Sequence, residues 1–427
     1  MKIKNISSLA KTKTRKVALE IVEVGLAAID TELVIKKHIR LEHGVLYVGN
    51  DHFVLSEIGR LLVVGVGKCA FEAGQAIEPI LGKYLTDGVV VDVHGGALKK
   101  IKAYQGTHPF PTEANVDATK AIINLLTGLT EKDLVIFLIS GGGSTLLCQP
   151  NNFTCVQEKE LVECLFSAGA DIEELNTIRK HLSLARGGYL AKYAYPAAAV
   201  SLIFSDVPGD NLEFISSGPT VKDTTTINDA IAIAKKYKIE SRCGFPLTGL
   251  LETPKEDQYF EKVKNILIVS NGTALDAMAK KAVELGFSPH IVTRKLVGEA
   301  RKVGYRLIQD LNKAASKSVL LYGGETTVIV KKPGRGGRNQ EVGLSALRFL
   351  KPGQSVAIVA SDGRDNTDFA GVICDMMTKE KAEALGLQLD IFLEENKSYE
   401  FFSEVGDYLL TGDTGSNVSD LFVAIYE

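Results

Sequence analysis

The sequence predicts a two-domain α/β protein, and three observations lead there. Four nearly continuous apolar runs in the first half alternate with helical spacing, the pattern of strands buried on both faces of a parallel sheet. A second series of apolar runs follows, with a glycine turn that suggests antiparallel pairing. The 427 residues exceed what one hydrophobic core of about 250–300 residues accommodates. The expected architecture is an N-terminal doubly wound, Rossmann-like parallel sheet over residues 1–245, then a C-terminal α/β domain with a mixed sheet over 246–427.

Taken in order, the first 19 residues hold several lysines and no acidic group, a transit-like composition. Glu20 and Glu23 then interrupt the apolar stretch and leave no secretory core, so an ordinary first helix is expected. Arg60 to Val66, Gly88 to Val93, Asp133 to Ile139 and Ala199 to Phe204 read as strands. Ala70 to Leu81, Asn115 to Leu126 and Glu158 to Gly169 carry helical spacing between them. The polar stretch Arg242 to Gln258 is the expected linker. Beyond it, Asn265 to Ser270, His290 to Thr293, Ser318 to Tyr322, Thr326 to Lys331, Ser355 to Ala360 and Asp420 to Ala424 read as strands. Tyr322-Gly323-Gly324-Glu325 reads as a turn between two of them.

A formal net charge of -3 gives no reason to expect nucleic acid or an anionic membrane as partner, so positive charge must be local if the ligand is anionic. No apolar run approaches the roughly 18 residues of a membrane span. The six cysteines contain no CxxC pair, and Cys155 and Cys164 are too far apart for a zinc knuckle. Reduced thiols in or near cores, in a cytoplasmic protein, are expected.

Polar, glycine-rich turns end nearly every strand of the first half. Gly65-Val-Gly67-Lys68-Cys69-Ala70 fails the P-loop pattern, because Leu62 and Cys69 stand at its key positions. It meets the looser dinucleotide form G-x-G-x-x-A, with Asp92 near the end of the next strand. Lys68 would point its ammonium where a phosphate or carboxylate sits. Ser140-Gly141-Gly142-Gly143-Ser144-Thr145 is an expected anion nest: three consecutive glycines are entropically costly, so something must approach that backbone closely. Ser205-Asp206-Val-Pro-Gly-Asp210 puts carboxylates at a strand end, where Asp206 could hold Mg²⁺ or accept a proton. Asn176, Arg179, Lys180 and Ser183 would share a broad helical face, and His108 lies in a stiff Gly106-Thr-His-Pro-Phe-Pro111 loop. In the second half, Gly334-Arg335-Gly336-Gly337-Arg338-Asn339-Gln340-Glu341 has a phosphate-clamp composition. Two further polar loops follow, Ser361 to Asp368 and Thr411 to Asn417. Their recurrence in both halves points to an active site in the interdomain cleft.

These residues together resemble a known family. Gly65-x-Gly67-Lys68, Ser140-Gly-Gly-Gly-Ser144, Asn176-Thr-Ile-Arg179-Lys-His-Leu-Ser183, Ser205-Asp206-Val-Pro-Gly-Asp210 and Ser217-Gly-Pro219 resemble the N-terminal domain of type 2 glycerate kinases. Gly323-Gly-Glu325-Thr, Gly336-Gly-Arg338-Asn-Gln-Glu341 and Thr411-Gly-Asp-Thr-Gly415-Ser-Asn417 resemble that family's C-terminal MOFRL domain. The resemblance spans nearly the whole chain in the family's order. It implies ATP- and Mg²⁺-dependent phosphorylation of D-glycerate at the 2-hydroxyl. Some members carry the name hydroxypyruvate reductase.

The resemblance further implies that Lys68 and Arg338 flank the transferring phosphoryl group and that Asp206 serves the reacting hydroxyl. Asp206, Glu325 and Asp362 would serve the metal. Nucleotide contacts would come from Gly65, Gly67, Ser140, Gly141, Gly142, Gly143, Ser144, Glu325, Asn339, Thr411, Gly412, Thr414, Gly415 and Asn417. Substrate contacts would come from His108, Asn176 and Arg179. The expected partners are the small substrate and, at most, a second copy of the chain as a homodimer. One departure bears on nucleotide preference or loop closure. The family loop usually reads threonine-aspartate-glycine, then aspartate-glycine-proline-threonine-aspartate, whereas Ser361 to Asp368 is shorter and lacks the second glycine and the proline. Two rival readings remain: an NAD(P)H-dependent reductase of hydroxypyruvate or tartronate semialdehyde using Gly65, Gly67, Ala70 and Asp92, and a non-catalytic ligand sensor.

Overall fold

The computed structural model describes every residue from Met1 to Glu427. The chain forms two compact units, the first of Thr31–Ser205 and Asp210–Ile268, the second of Met1–Asp30, Asp206–Gly209 and Val269–Glu427. This division departs from the expected boundary at residues 245 and 246: the 242–258 stretch lies inside the first unit, and the N-terminal segment belongs to the second. The helix Lys13–Ala28 explains why. Its fully buried Arg15 forms ion pairs with Asp375 at 2.7 Å and Asp407 at 2.8 Å. An unpaired buried guanidinium would be strongly destabilising, so these partners fix where the helix must pack.

The first unit begins with an antiparallel meander, Ile39–Glu42 (β1), Val45–Val48 (β2) and Asp51–Val54 (β3). Its main sheet uses Leu61–Val66 (β4), Asp87–Asp92 (β5), Ile101–Gln105 (β6), Leu134–Ile139 (β7), Ala198–Phe204 (β8) and Val263–Val269 (β9). The spatial order is β6-β5-β4-β7-β8-β9, and the four pairings from β6 to β8 are parallel. This is the doubly wound order, with its switch point between β4 and β7. Every residue of β4 and β7 is buried, which is why they read as unbroken apolar runs. The edge strand β6 is half polar and gave no such run. β9 was expected in the second domain but completes the first sheet.

One expectation about the cysteines is corrected. Cys164 and Cys243 form a disulfide, with Cα atoms 5.9 Å apart and a sequence separation of 79. The helices Cys155–Ser167 and Ile239–Cys243 bring them together, a proximity that linear spacing cannot reveal. Cys69, Cys148, Cys155 and Cys374 are buried thiols outside any disulfide. No helix is long and apolar enough to cross a membrane.

The second unit holds a mixed sheet of Ser288–Glu299 (β10), Ser318–Thr327 (β11), Gln354–Ala360 (β12), Gly371–Asp375 (β13), Tyr408–Leu409 (β14) and Asp420–Tyr426 (β15). The order is β10-β11-β15-β12-β13-β14, with β10 and β11 parallel and the remaining neighbours antiparallel. Gly323 and Gly324 do not form the expected turn; they lie inside β11. At Gly324, with φ +152°, a Cβ would stand 2.1 Å from the Leu296 carbonyl of β10. The glycine serves a close strand approach at a register shift, which mimics a turn in sequence.

Candidate functional site

The C-terminal ends of β4 and β7 meet at the switch point, where open α/β sheets gather ligands. The Lys68 amide donates to the Gly141 carbonyl at 2.9 Å, and the Cys69 amide donates to Ser140 Oγ at 3.1 Å. The turns touch because Gly67, at φ +120°, has no side chain: a Cβ would lie 2.2 Å from the Ser140 carbonyl oxygen. A Cβ on Gly143 would lie 2.2 Å from Ser216 Oγ, and the Lys68 stem crosses Gly142. The close approach demanded by the glycines is therefore made at least partly by the protein itself. Gly65 lies within β4 and is buried.

Ser216 and Ser217, at φ +54° and +58°, occupy left-handed backbone unusual for serine, at a cost on the order of 1 kcal/mol each. Ser216 Oγ donates to the Ser140 carbonyl at 2.6 Å. Ser217 Oγ donates to Asn176 Oδ1 at 3.1 Å and lies 2.8 Å from Ser144 Oγ. The hydroxyls thus tie three segments into one rigid platform. Ser217-Gly-Pro219 is part of the family pattern in the sequence, but neither serine is expected there as a site residue.

Asn176 and Arg179 lie on the helix Ile172–His181, whose N-terminus is capped by Asp171 accepting from the Glu174 amide at 2.9 Å. The single polar face expected there is split. Lys180 is buried against Asp223 at 2.5 Å and Glu213 at 3.4 Å, and Ser183 is also buried. Half-buried Arg179 takes part in no ion pair and borders a recess lined by Pro109, Phe110, Ser144, Thr145 and Glu158. Burial, and then Arg186, push its guanidinium below the ordinary value. His108 retains open surface, but surrounding protein displaces much of its water. That burial, with the positive charges of Lys68 and Arg179, holds the imidazole down to about 4. Cations thus converge on this side of the first unit while His108 stays neutral at physiological pH.

In the second unit Arg338 opens the helix Arg338–Leu347. It donates to Asp420 through Nε at 2.6 Å and Nη2 at 3.1 Å, and through Nη1 to Glu325. Burial lowers its basicity, but these carboxylates outweigh that and hold the guanidinium charged. Asp365 accepts from the Asn339 amide at 3.0 Å and the Gln340 amide at 2.8 Å. The helix N-terminus expected to clamp phosphate is therefore already met by the chain's own carboxylate. Gly337 permits this, since its Cβ would lie 2.0 Å from the Asp365 carbonyl oxygen. Asn339 is fully buried, and its amide oxygen has no hydrogen-bond donor in the protein.

The remaining loops of this unit interlock. Thr414 Oγ1 donates to the Ser361 carbonyl at 2.5 Å, and the Thr414 amide donates to the Asp362 carbonyl at 3.2 Å. Thr411 Oγ1 donates to the Gly412 carbonyl at 2.7 Å, and the Gly415 amide donates to Asp413 Oδ1 at 3.0 Å. Asn417 Nδ2 donates to Asp206 Oδ2 at 3.4 Å, and Ser419 Oγ donates to the Asp206 carbonyl at 2.5 Å. Asp206 thus belongs with the second unit, next to the strand bearing Asp420. Asp206 and Asp362 offer hard oxygen donors, the kind Mg²⁺ requires; Glu325 is drawn towards Arg338. Elsewhere, in the first unit, donor atoms of Glu72, Asp92 and His94 lie within 4.8 Å of one another.

Residues 17–252 match the family described as a domain of unknown function, DUF4147, and residues 318–420 match the MOFRL family. A glycerate 2-kinase of Pyrococcus horikoshii is 37% identical over 96% of this chain and 97% of its own length. A protein of Agrobacterium vitis, provisionally named a hydroxypyruvate reductase, is also 37% identical, over 85% of this chain and 86% of its own. Among solved structures, the glycerate kinase of Thermotoga maritima superposes with a TM-score of 0.85 at 35% identity, covering 96% of this chain and 99% of that one.

Proposed function

Because the chain belongs to the type 2 glycerate kinase family, we propose that it transfers the γ-phosphoryl group of ATP to the 2-hydroxyl of D-glycerate, giving 2-phosphoglycerate and ADP. The observation that carries the substrate side is Arg179, a half-buried guanidinium with no anionic partner, bordering a recess beside the Ser144 platform. Desolvating a cation without a partner is unfavourable, so a ligand carboxylate is its natural complement. Asn176 and neutral His108 would orient the hydroxyls, and the glycine turns with Ser140 and Ser144 would flank the phosphates.

The reaction breaks the bond between the bridging β–γ oxygen and the γ-phosphorus and forms one from the substrate oxygen to that phosphorus. The hydroxyl proton leaves to a base, for which Asp206 is proposed. Such transfers need positioning and charge stabilisation more than covalent help. Lys68 and Arg338 are proposed to supply positive charge at the equatorial oxygens. Asp206, Asp362 and Glu325 would hold Mg²⁺, which neutralises phosphate charge when bound. The unpartnered amide oxygen of Asn339 suits a nucleotide contact, with Thr411, Gly412, Thr414, Gly415 and Asn417 as further proposed nucleotide ligands. The same reading proposes a cytoplasmic enzyme, with the homodimer left to measurement.

The Agrobacterium name favours testing the reductase reading in parallel. Against it, Asp92 accepts from the Phe71 amide at 2.9 Å and the His94 amide at 3.1 Å. The acidic residue expected on a ribose is therefore turned to the helix N-terminus where a pyrophosphate would bind. Incubation with D-glycerate, ATP and Mg²⁺, followed by ³¹P NMR, tests the proposal. A phosphomonoester signal coupled to the C2 proton supports it. NADH consumption with hydroxypyruvate and no phosphoryl transfer overturns it.

A further inference from the structure

We propose that Glu158 makes the Arg179 recess selective for acids carrying one carboxylate, and that it turns away 2-hydroxy dicarboxylates of the same length. This rests on the substrate reading above. Two guanidinia and one carboxylate gather here. Arg186 is fully buried; its Nη1 donates to Glu158 Oε1 at 2.5 Å and to the Arg179 carbonyl at 3.5 Å, while its Nε and Nη2 have no partner in the protein. Glu158 is 3% exposed, and its other oxygen, Oε2, accepts from Cys148 Sγ at 3.6 Å. Lys159 also lines the recess but pairs with Glu163 at 3.9 Å, so Arg179, Arg186 and Glu158 together leave one positive charge uncompensated.

A single substrate carboxylate completes that balance. A second one, placed where D-glycerate carries its hydroxymethyl group, would bring a further negative charge into a recess that Glu158 itself lines. Glu158 cannot move aside easily. It sits in the first turn of the helix Cys155–Ser167, which is fixed by a Thr154–Gln157 capping box, and both of its oxygens are engaged. Like charges held close in a poorly hydrated site repel strongly. The residue therefore acts through charge rather than shape.

The test compares D-lactate, which has one carboxylate, with tartronate, in which a second carboxylate replaces the methyl group. Both are titrated calorimetrically into the full-length wild-type protein and into Glu158→Gln, which keeps an oxygen acceptor for Arg186. D-lactate is expected to bind wild type about tenfold more tightly than tartronate, and Glu158→Gln should erase most of that gap by improving tartronate. Equal binding of the two acids to wild type overturns the proposal, as does binding of neither. An unchanged ratio in a natively folded Glu158→Gln protein also overturns it. If that variant does not fold, the wild-type ratio decides. Failure to phosphorylate D-glycerate would strike the kinase reading alone, because the calorimetric ratio needs no turnover.

Discussion

Arg338 grips the buried carboxylate of Asp420 with two hydrogen bonds, at 2.6 and 3.1 Å, and its remaining nitrogen pairs with Glu325. Three donors in one plane are thus committed before any ligand arrives, so the guanidinium needs little reorganisation to face developing phosphate charge. Burial pushes Asp420 upward, while Arg338 pulls it down. Asp420→Asn removes the charge and keeps the shape. It should lower the unfolding free energy of the second unit by about 3 kcal/mol, because a partly buried guanidinium loses its main partner. Urea denaturation checks the stability, and kcat in the glycerate assay should fall at least about tenfold through lost orientation. An Asp420→Asn protein with wild-type stability would remove the structural basis of the pair.

Lys68 projects from the switch-point turn, and its stem rests on Gly142. Lys68→Met preserves that packing and removes the ammonium. Under the kinase reading kcat should drop on the order of 10²–10³-fold, with the circular dichroism spectrum unchanged. A ligand sensor would instead show weaker binding and no rate to lose. Steady-state kinetics paired with nucleotide titration separates the two.

His108 offers a pH prediction with a definite sign. Its imidazole is held down to about 4 by burial and by Lys68 and Arg179, against about 6.5 in an unfolded chain. The folded state therefore favours neutral His108. Its stabilising contribution is present above about pH 6.5 and is lost as pH falls towards 4. Histidine NMR should show the His108 ring titrating near 4, and Arg179→Met should raise that midpoint. A His108 midpoint that ignores Arg179→Met would mean that the guanidinium and the imidazole do not interact as described.

The central strands were legible because burial on both faces leaves an unbroken apolar signature, seen in Leu61–Val66 and Leu134–Ile139. The edge strand Ile101–Gln105 was not, since its half-exposed, polar residues resemble a loop. Lys68 and Arg338 stand out in the sequence as cations beside glycine turns, and Arg179 as part of a polar helical face within the family pattern. Glu158, Arg186, Asp365 and Asp420 could not. Each acts by capping or pairing with a residue distant in sequence, as Asp365 does for the Asn339 amide. Gly323 and Gly324 misled for a related reason: glycine marks close approach, and a chain reversal is only one way to produce it.

Gly143 gives a direct test of that principle. A Cβ there would stand 2.2 Å from Ser216 Oγ and 2.6 Å from Ser216 Cβ. Gly143→Ala should cost about 2 kcal/mol or displace the serine platform, as overpacking does. Adding Ser216→Gly clears the collision and relieves the left-handed backbone at φ +54°. The double variant should therefore recover part of the lost stability, although it loses the hydrogen bond to Ser140. Thermal melts of both variants check this, and a double variant less stable than the single would show the hydroxyl matters more than the clash.

The Cys164–Cys243 disulfide closes a loop across a sequence separation of 79 residues. Cross-linking over such a span removes unfolded-state entropy equivalent to roughly 4 kcal/mol. Cys243 packs against the core that joins Leu161 and Leu165 to Ile178 and Ile239, and Cys164 lies on the helix that bears Leu161 and Leu165, so the bond ties together the layer behind Asn176 and Arg179. Reduction with dithiothreitol should lower the melting temperature of the first unit by about 10 °C. Kinetics at 25 °C should change little, because the apolar packing and the Glu158–Arg186 pair survive without the sulfur bond. Equal melting with and without reductant would mean that the thiols are unlinked in solution. A large loss of kcat on reduction would instead show that the bond, rather than the packing beneath it, positions Arg179.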